Sequence, residues 1–490
     1  RMNMPSSFMS LFPQISMGLE AMKIPIQGYV SIAQTAKKSF SLGFDLLQTA
    51  YNLNCLIARG FLSTPFDSDR EVWRQLLEIY REEGEKGLNW IREKLLESMD
   101  RFQRRRSGEL EFLEFLTGKM LPPEWAVGPG SMKALLDLPS LRVIDISARV
   151  EHKIRNYAVV FAPRAGHHSI ISQRVALYMR DLGLTRMAIV EQKCADDIPL
   201  YVDGRRHDEG FDGQVDQYRQ VLEYLRGLTG YPPHLIAICQ PGPLLISTLI
   251  LYPHLGATFG SAGSPMHMEA ERGFLTDFAR TMGEDFIDLL LLVCGGTVSQ
   301  DRIGAGRKYY DGRYHVLGFY FLGLDTHQKN FRRLLADLRD GNELAAERQK
   351  AFYRWYNYVH HSPAEFISDT YKRIFVRNEL IRGTLRIHGK MISMKDYPGS
   401  VPIWALGGSR DDIVPPRQAT SHLDLLDMDI VPPLQAVGHM DLIESVPSDH
   451  KLTLICEGGH MGLFRSVKIL ERYYSKIAAF ILSHSDRAET

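Results

Sequence analysis

The stretch HLIAICQPGPLLISTLIL, His234 to Leu251, places one cysteine, Cys239, between two apolar runs joined by Gln-Pro-Gly-Pro. The first run, HLIAIC, is short and apolar without alternation, the pattern of a strand buried on both faces. Pro241, two residues after the cysteine, suits the first turn of a helix, where its missing N–H would have no intrahelical partner. Cys239 therefore stands between a strand and a helix. It either fills a core or is presented for chemistry, and free cysteine is among the most buried residue types.

Upstream, short apolar strands alternate with helical stretches. YAVVFAP (Tyr157 to Pro163) reads as a buried strand, followed by a helix from about Ser169 to Leu182. RMAIVEQ (Arg186 to Gln192) and a helix over Gln214 to Leu228 then lead into HLIAIC. Strand, helix, strand, helix, strand is the pattern of a parallel sheet covered on both faces. Downstream, strands return in VPIWALGGSRDD (Val401 to Asp412) and HKLTLICEGGH (His450 to His460). Between these halves the chain turns helical and aromatic, as in ERQKAFYRWYNYVHHSPAEF (Glu347 to Phe366).

The N-terminal residues read as helices. In TAKKSFSLGFDLLQTAYNL (Thr35 to Leu53), Phe40, Phe44, Leu47 and Tyr51 recur at helical spacing, and Ser68 with Glu71 forms a capping box before EVWRQLLEIY. The cluster RFQRRR (Arg101 to Arg106) reads as a solvated helix face. Four segments are expected: a helical N-terminal region, 1–130; a first core half, 131–270; a helical cap insertion, 271–395; and a second core half, 396–490.

Composition bounds the function. The 490 residues are 44% hydrophobic, and 58 basic side chains balance 58 acidic ones, so no global field favours nucleic acid or an anionic membrane. Five cysteines without a C-x-x-C pair fit a reducing cytoplasm better than a disulfide framework. The longest apolar runs, such as FIDLLLLVC (Phe286 to Cys294), fall short of the ~18 residues of a membrane span. The opening RMNMPSSFMSLFPQ has prolines where an export signal would be unbroken and apolar, and Arg1 suggests an incomplete start.

Functional groups of such a sheet collect at the carboxyl ends of its strands. Cys239 ends HLIAIC, Asp411 follows VPIWALGGSR, and His460 follows KLTLICEGG. Nucleophile, acid, histidine is the chain order of the α/β-hydrolase fold. A thiol attacks an ester only as thiolate, so it needs a base in reach, and the base needs an acid to hold its tautomer. The Asp411-Asp412-Ile413-Val414 register favours Asp411 over its neighbour, and a preceding strand with two glycines favours His460 over His439. The backbone N–H of Gln240, at a helix start, is placed as an oxyanion donor, and Gly166 and His167 in APRAGHHS are candidates for the second. Ala237 and Pro241 stand where the usual elbow has glycines. Adjacent histidines, His167 and His168, point apart and lack metal-ligand spacing, so neither metal nor cofactor is expected. IGAGRK (Ile303 to Lys308) lacks the third glycine of a nucleotide fingerprint and reads as a loop.

APRAGHH, IAICQP, SAGSP (Ser261 to Pro265), RWYNYVHHSPAEF with YKRIFVRNEL (Tyr371 to Leu380), GGSRDDI and EGGHMGLF together resemble the intracellular poly(3-hydroxybutyrate) depolymerases, from about Arg142 to about Leu482. The resemblance implies a cytoplasmic α/β-hydrolase with a mostly parallel, doubly wound sheet, acting on polyhydroxyalkanoate storage granules. It also implies Cys239 as nucleophile, Asp411 as acid and His460 as base. EQKCADD (Glu191 to Asp197) departs from the family's D-W-x-D-A-R segment. Two alternatives remain: a synthase-like acyltransferase, whose G-x-C-x-G is lacking here, and an inactive granule scaffold. Phe319, Tyr320, Trp355 and Tyr356 are candidate walls of a substrate cleft, Ser31 to Arg59 a candidate granule-binding helix, and Cys194 the expected rival of Cys239 in thiol reactivity.

Overall fold

The structure is a computed structural model that describes residues 8–61, 70–118, 120, 133–165, 169–426 and 450–488. The Ser68 capping box, the segment around His439, and Gly166, His167 and His168 lie outside the described residues.

Eight strands form the main sheet: β1 (Lys133–Asp137), β2 (Leu141–Asp145), β3 (Ala158–Phe161), β4 (Met187–Gln192), β5 (His234–Ile238), β6 (Thr258–Ala262), β7 (Ile403–Gly408) and β8 (Lys451–Cys456). Their order is β1-β2-β4-β3-β5-β6-β7-β8. β2 runs antiparallel to both β1 and β4, and every other pairing is parallel. This is the α/β-hydrolase order. Strands β3 to β7 are buried along their whole length, which is why they read as continuous apolar runs without alternation.

Helix burial follows from the same layering. α1 (Pro13–Phe61) and α2 (Arg70–Thr117) precede the sheet, and α3 (Ile170–Asp181), α4 (Phe211–Thr229) and α5 (Gly242–Leu251) are among the helices that cover it. α4 buries one stripe, including Val215, Tyr218, Leu222 and Leu225, and ends at Gly230, whose φ of 80° only glycine adopts without strain. α5 follows Cys239 and is apolar all round, and its residues are buried from Gly242 to Ile250. Gly260 of β6 lies opposite Trp404 of β7, and a Cβ there would come within 1.7 Å of the indole, so the fully buried tryptophan occupies the volume that glycine leaves.

The segment between β6 and β7 is not purely helical. Besides Phe274–Met282, Phe286–Cys294 and Gly312–Leu322, it contains an antiparallel ladder of Gly295–Thr297, Lys308–Tyr310 and Ser362–Pro363, and a hairpin of Leu385–Ile387 with Lys390–Ile392. These strands are two or three residues long, too short for periodicity to reveal. Lys308, read from sequence as loop, begins one of them.

The chain forms two compact units. One comprises 1–8, 121–322 and 355–490 and carries the sheet; the other comprises 9–120 and 323–354. In the second unit α1 and α2 are antiparallel, with ion pairs Lys37–Asp100 and Asp45–Arg92, the latter at 3.0 Å. Phe112 and Phe115 of α2 pack on the buried Leu334, Leu338 and Ala346, and Glu109 and Glu111 pair with Arg339 and Lys350. Of the expected α1 stripe, Phe44 is buried, Phe40 and Tyr51 are half-buried, and Leu47 is exposed. Arg101, Arg104 and Arg105 are exposed on α2. Among the described residues no helix is long and apolar enough to cross a membrane.

Candidate active site

Cys239 follows β5 directly and has φ 61°, one of four non-glycine residues in the left-handed region among those described, with Asp203, Asn378 and His388. Its N–H donates to Ala262 O at 2.9 Å, and its C=O accepts from Gly242 N at 3.3 Å. Such a conformation costs on the order of 1–3 kcal/mol and persists where surrounding structure enforces it. Here the enforcement is packing between α5 and the end of β6. A Cβ on Gly242 would lie 2.6 Å from Ser264 Cβ and 2.8 Å from Met266 Sδ. The close approach that glycines usually permit on either side of the nucleophile is therefore met by Gly242, three residues past the cysteine. The result is a sharp strand-to-helix turn that lifts one side chain off the sheet edge.

Asp411 lies just past β7. Its N–H donates to Gly408 O at 3.1 Å, and its Oδ1 accepts the backbone N–H groups of Ile413 and Val414, each at 2.9 Å. Oδ2 faces His460 Nδ1 at 2.7 Å. Asp412 is exposed. The loops after β7 and β8 are laced together by Ser409 N to Cys456 O at 2.8 Å and Arg410 N to Gly458 O at 3.0 Å. Gly408 is needed at this seam, since a Cβ there would sit 2.5 Å from Gly458 O.

His460 is held from several sides. Its ring meets Phe464 edge-on at 5.5 Å, and Gly263, with φ 58°, passes so close that a Cβ would lie 3.3 Å from His460 Cε1. Burial opposes charge on the imidazole, but Cys239 and Asp411 beside it outweigh burial and hold His460 well above the usual histidine range. With Nδ1 committed to Asp411, the Nε2 side of the ring is left for Cys239. The structure thus brings Cys239, Asp411 and His460 to one edge of the sheet.

Gln240 begins the turn into α5. Among the described residues none accepts from its backbone N–H, while its side-chain Oε1 accepts from Arg164 N at 2.8 Å. Of the proposed cleft walls, Trp355 and Tyr356 are buried at 2% and 3% exposure and belong to packing, whereas Phe319 and Tyr320 are half-buried, and Tyr320 donates to Asn357 Oδ1 at 2.8 Å. Cys194 is not the exposed rival that its polar neighbours suggest. It is buried against His361, whose backbone N–H it accepts at 3.3 Å, and burial pushes its thiol up to about 12. Cys294, although it ends the apolar run FIDLLLLVC, is only half-buried, at the end of a helix.

Two further charged residues carry no signal in the sequence. Arg164, within APRAGHH, and Glu209 are both nearly or fully buried and pair at 2.6 Å. Only their isolation from solvent marks them, and sequence does not report it.

The family model described as PHB de-polymerase C-terminus matches residues 263–428. Residues 263–428 are thus similar to the C-terminal part of PHB depolymerases. The matched segment includes Asp411 and stops short of Cys239 and His460, so it bears on family and not on the nucleophile. No curated protein matches the chain. Among solved structures, a monoacylglycerol lipase from Paleococcus ferrophilus is 14% identical over 69% of this chain and 98% of its own, with a TM-score of 0.36. An esterase from Thermogutta terrifontis is 9% identical over 75% and 100%, with a TM-score of 0.34. An α/β-hydrolase fold protein from Nakamurella multipartita is 13% identical over 71% and 99%, with a TM-score of 0.33.

Proposed function

We propose that this chain hydrolyses the ester bonds of polyhydroxyalkanoate at the surface of cytoplasmic storage granules, through an acyl-cysteine intermediate. Cys239 Sγ attacks the ester carbonyl as its proton passes to His460 Nε2. The carbonyl oxygen, now an oxyanion, is met by the Gln240 N–H at the start of α5. Collapse breaks the C–O bond, and the leaving alkoxide takes the proton from His460, which yields a shortened polymer and a thioester on Cys239. Water, deprotonated by the neutral imidazole, adds to the thioester; the acid departs, and the proton returns to sulfur. Asp411 keeps the ring in one tautomer and supports its positive charge.

The observation that carries this reading is the 2.7 Å contact of Asp411 with His460 beside a cysteine in a strained strand-to-helix turn. The family of the 263–428 segment supports the choice of polyester. Amorphous granules incubated with wild type should release hydroxyacid monomers or oligomers, and with Cys239→Ala should not. Chain growth from an activated monomer without release would instead indicate a synthase-like transferase, and release by neither protein an inactive scaffold.

A further inference from the structure

Gln240 has two faces. Its backbone N–H follows the candidate nucleophile, and its side-chain amide oxygen accepts from Arg164 N at 2.8 Å. Arg164 lies just after β3, the neighbour of β5 in the sheet. What fixes Arg164 is its own side chain. Nη1 pairs with Glu209 Oε2 at 2.6 Å, Nη2 donates to Gln192 Oε1 at 2.7 Å and to Ser140 O at 3.3 Å, and the guanidinium lies 5.3 Å from the Phe366 ring centre. The carbonyl of Arg164 accepts from Ser362 Oγ at 3.1 Å. Glu209 is fully buried and is held in turn by His207 Nε2 at 2.8 Å, by Gln214 Nε2 at 3.0 Å and by the hydroxyl of Ser140.

A buried ion pair is weak evidence for stability, because desolvation opposes the attraction of the charges. Its effect on geometry is stronger. The Arg164 backbone cannot shift without pulling a charge from a buried, fully paired partner. The group it fixes through one N–H is the side chain of the residue that carries the oxyanion donor.

We propose that Glu209, Arg164 and the Gln240 side chain form a positioning relay that aims the Gln240 backbone N–H at the oxyanion formed on Cys239. The relay touches neither substrate nor nucleophile, so these are positioning residues. Resting on the acyl-cysteine reading above, the relay acts on acylation by carbonyl substrates and not on the nucleophilicity of the thiol. Alkylation of Cys239 by iodoacetamide is displacement at a saturated carbon and passes through no oxyanion, so it separates the two.

The test compares Gln240→Ala, Gln240→Glu and Glu209→Gln in the full-length protein, following p-nitrophenyl ester turnover, alkylation rate and thermal unfolding. Gln240→Ala keeps the backbone N–H and removes the tie; it should lower kcat about 10- to 100-fold, as a misplaced transition-state contact does, with KM nearly unchanged. Its alkylation rate and unfolding temperature should stay near wild type. Gln240→Glu still accepts from Arg164 and should recover most of the loss. Glu209→Gln should lower kcat with alkylation preserved; if it fails to fold, the Gln240 pair still decides. Wild-type turnover in Gln240→Ala, or parallel loss of turnover and alkylation, would overturn the relay. Hydrolysis by Cys239→Ala would overturn both the relay and the mechanism beneath it.

Discussion

Asp411 binds His460 Nδ1 with one carboxylate oxygen at 2.7 Å and accepts two backbone N–H groups, from Ile413 and Val414, with the other. The acid is thus fixed by its own loop before it meets the imidazole.

Asp411→Asn should retain this geometry while losing the charge and the tautomer preference. A fall in kcat on the order of 10³-fold or more is expected, whereas the exposed Asp412→Asn should stay near wild type. The same change should move the His460 titration down toward the ordinary histidine range, which ring NMR shifts would follow. Because the folded pKa is raised, His460 stabilises the fold fully below its unfolded value, and that stabilisation fades as pH rises through the folded value. Equal loss in both variants would remove the assignment.

Limiting iodoacetamide should label Cys239 first and abolish ester cleavage in proportion. Burial pushes Cys194 to about 12 and Cys456 to about 11, so little thiolate forms at either. Burial and nearby Asp311 also raise Cys294, and Cys55 is buried. Peptide mapping that finds Cys194 labelled first would contradict this. Cys239→Ala should keep the fold, since the lost sulfur costs about 1–2 kcal/mol.

Glu209 should make the fold acid-sensitive at low pH. Burial works against its charge, but Arg164, His207 and Ser140 outweigh it and hold the carboxyl down to about 2. Its contribution is complete above the unfolded carboxylate value, near 4.5, and is lost progressively as pH falls toward 2. Urea unfolding across that window should show wild type losing stability more steeply than Glu209→Gln. At neutral pH that variant should be less stable by about 3–5 kcal/mol, because Arg164 is left buried and unpaired.

Gly263→Ala should impair catalysis more than folding. A non-glycine residue at φ 58° costs about 1–2 kcal/mol, and the new methyl would press on His460 Cε1 and Leu463 Cδ1. Ester turnover should drop well beyond what unfolding temperature accounts for; an unchanged kcat would show that the ring tolerates the push.

The Ser31 to Arg59 part of α1 should bind hydrophobic granule surfaces. Ile32, Leu42, Leu46, Leu53 and Leu56 are each more than half exposed on it, a large apolar area for a helix facing water. Aspartate at Leu42, Leu46 and Leu53 should reduce co-sedimentation with amorphous granules without changing soluble-ester turnover. Unaltered co-sedimentation would show that this helix does not hold the protein on the polymer.

Periodicity alone carried the α/β alternation, because a strand buried on both faces and a helix with one wet face leave different local patterns. Strand-end placement in the order Cys239, Asp411, His460 was equally legible, since chain order and strand ends are properties of sequence. What depends on packing was not. Gly242 and Gly263 stand where neighbouring elements press on the backbone, outside the glycine positions of the familiar elbow. Cys194 sits in a polar stretch yet is sealed by His361, and the short strands of the insertion are defined by their pairing and are too brief to leave a periodic pattern. Arg164 and Glu209 are 45 residues apart and lack any shared motif. Their pairing is decided when the sheet closes and removes both from water, because only then does each charge require the other.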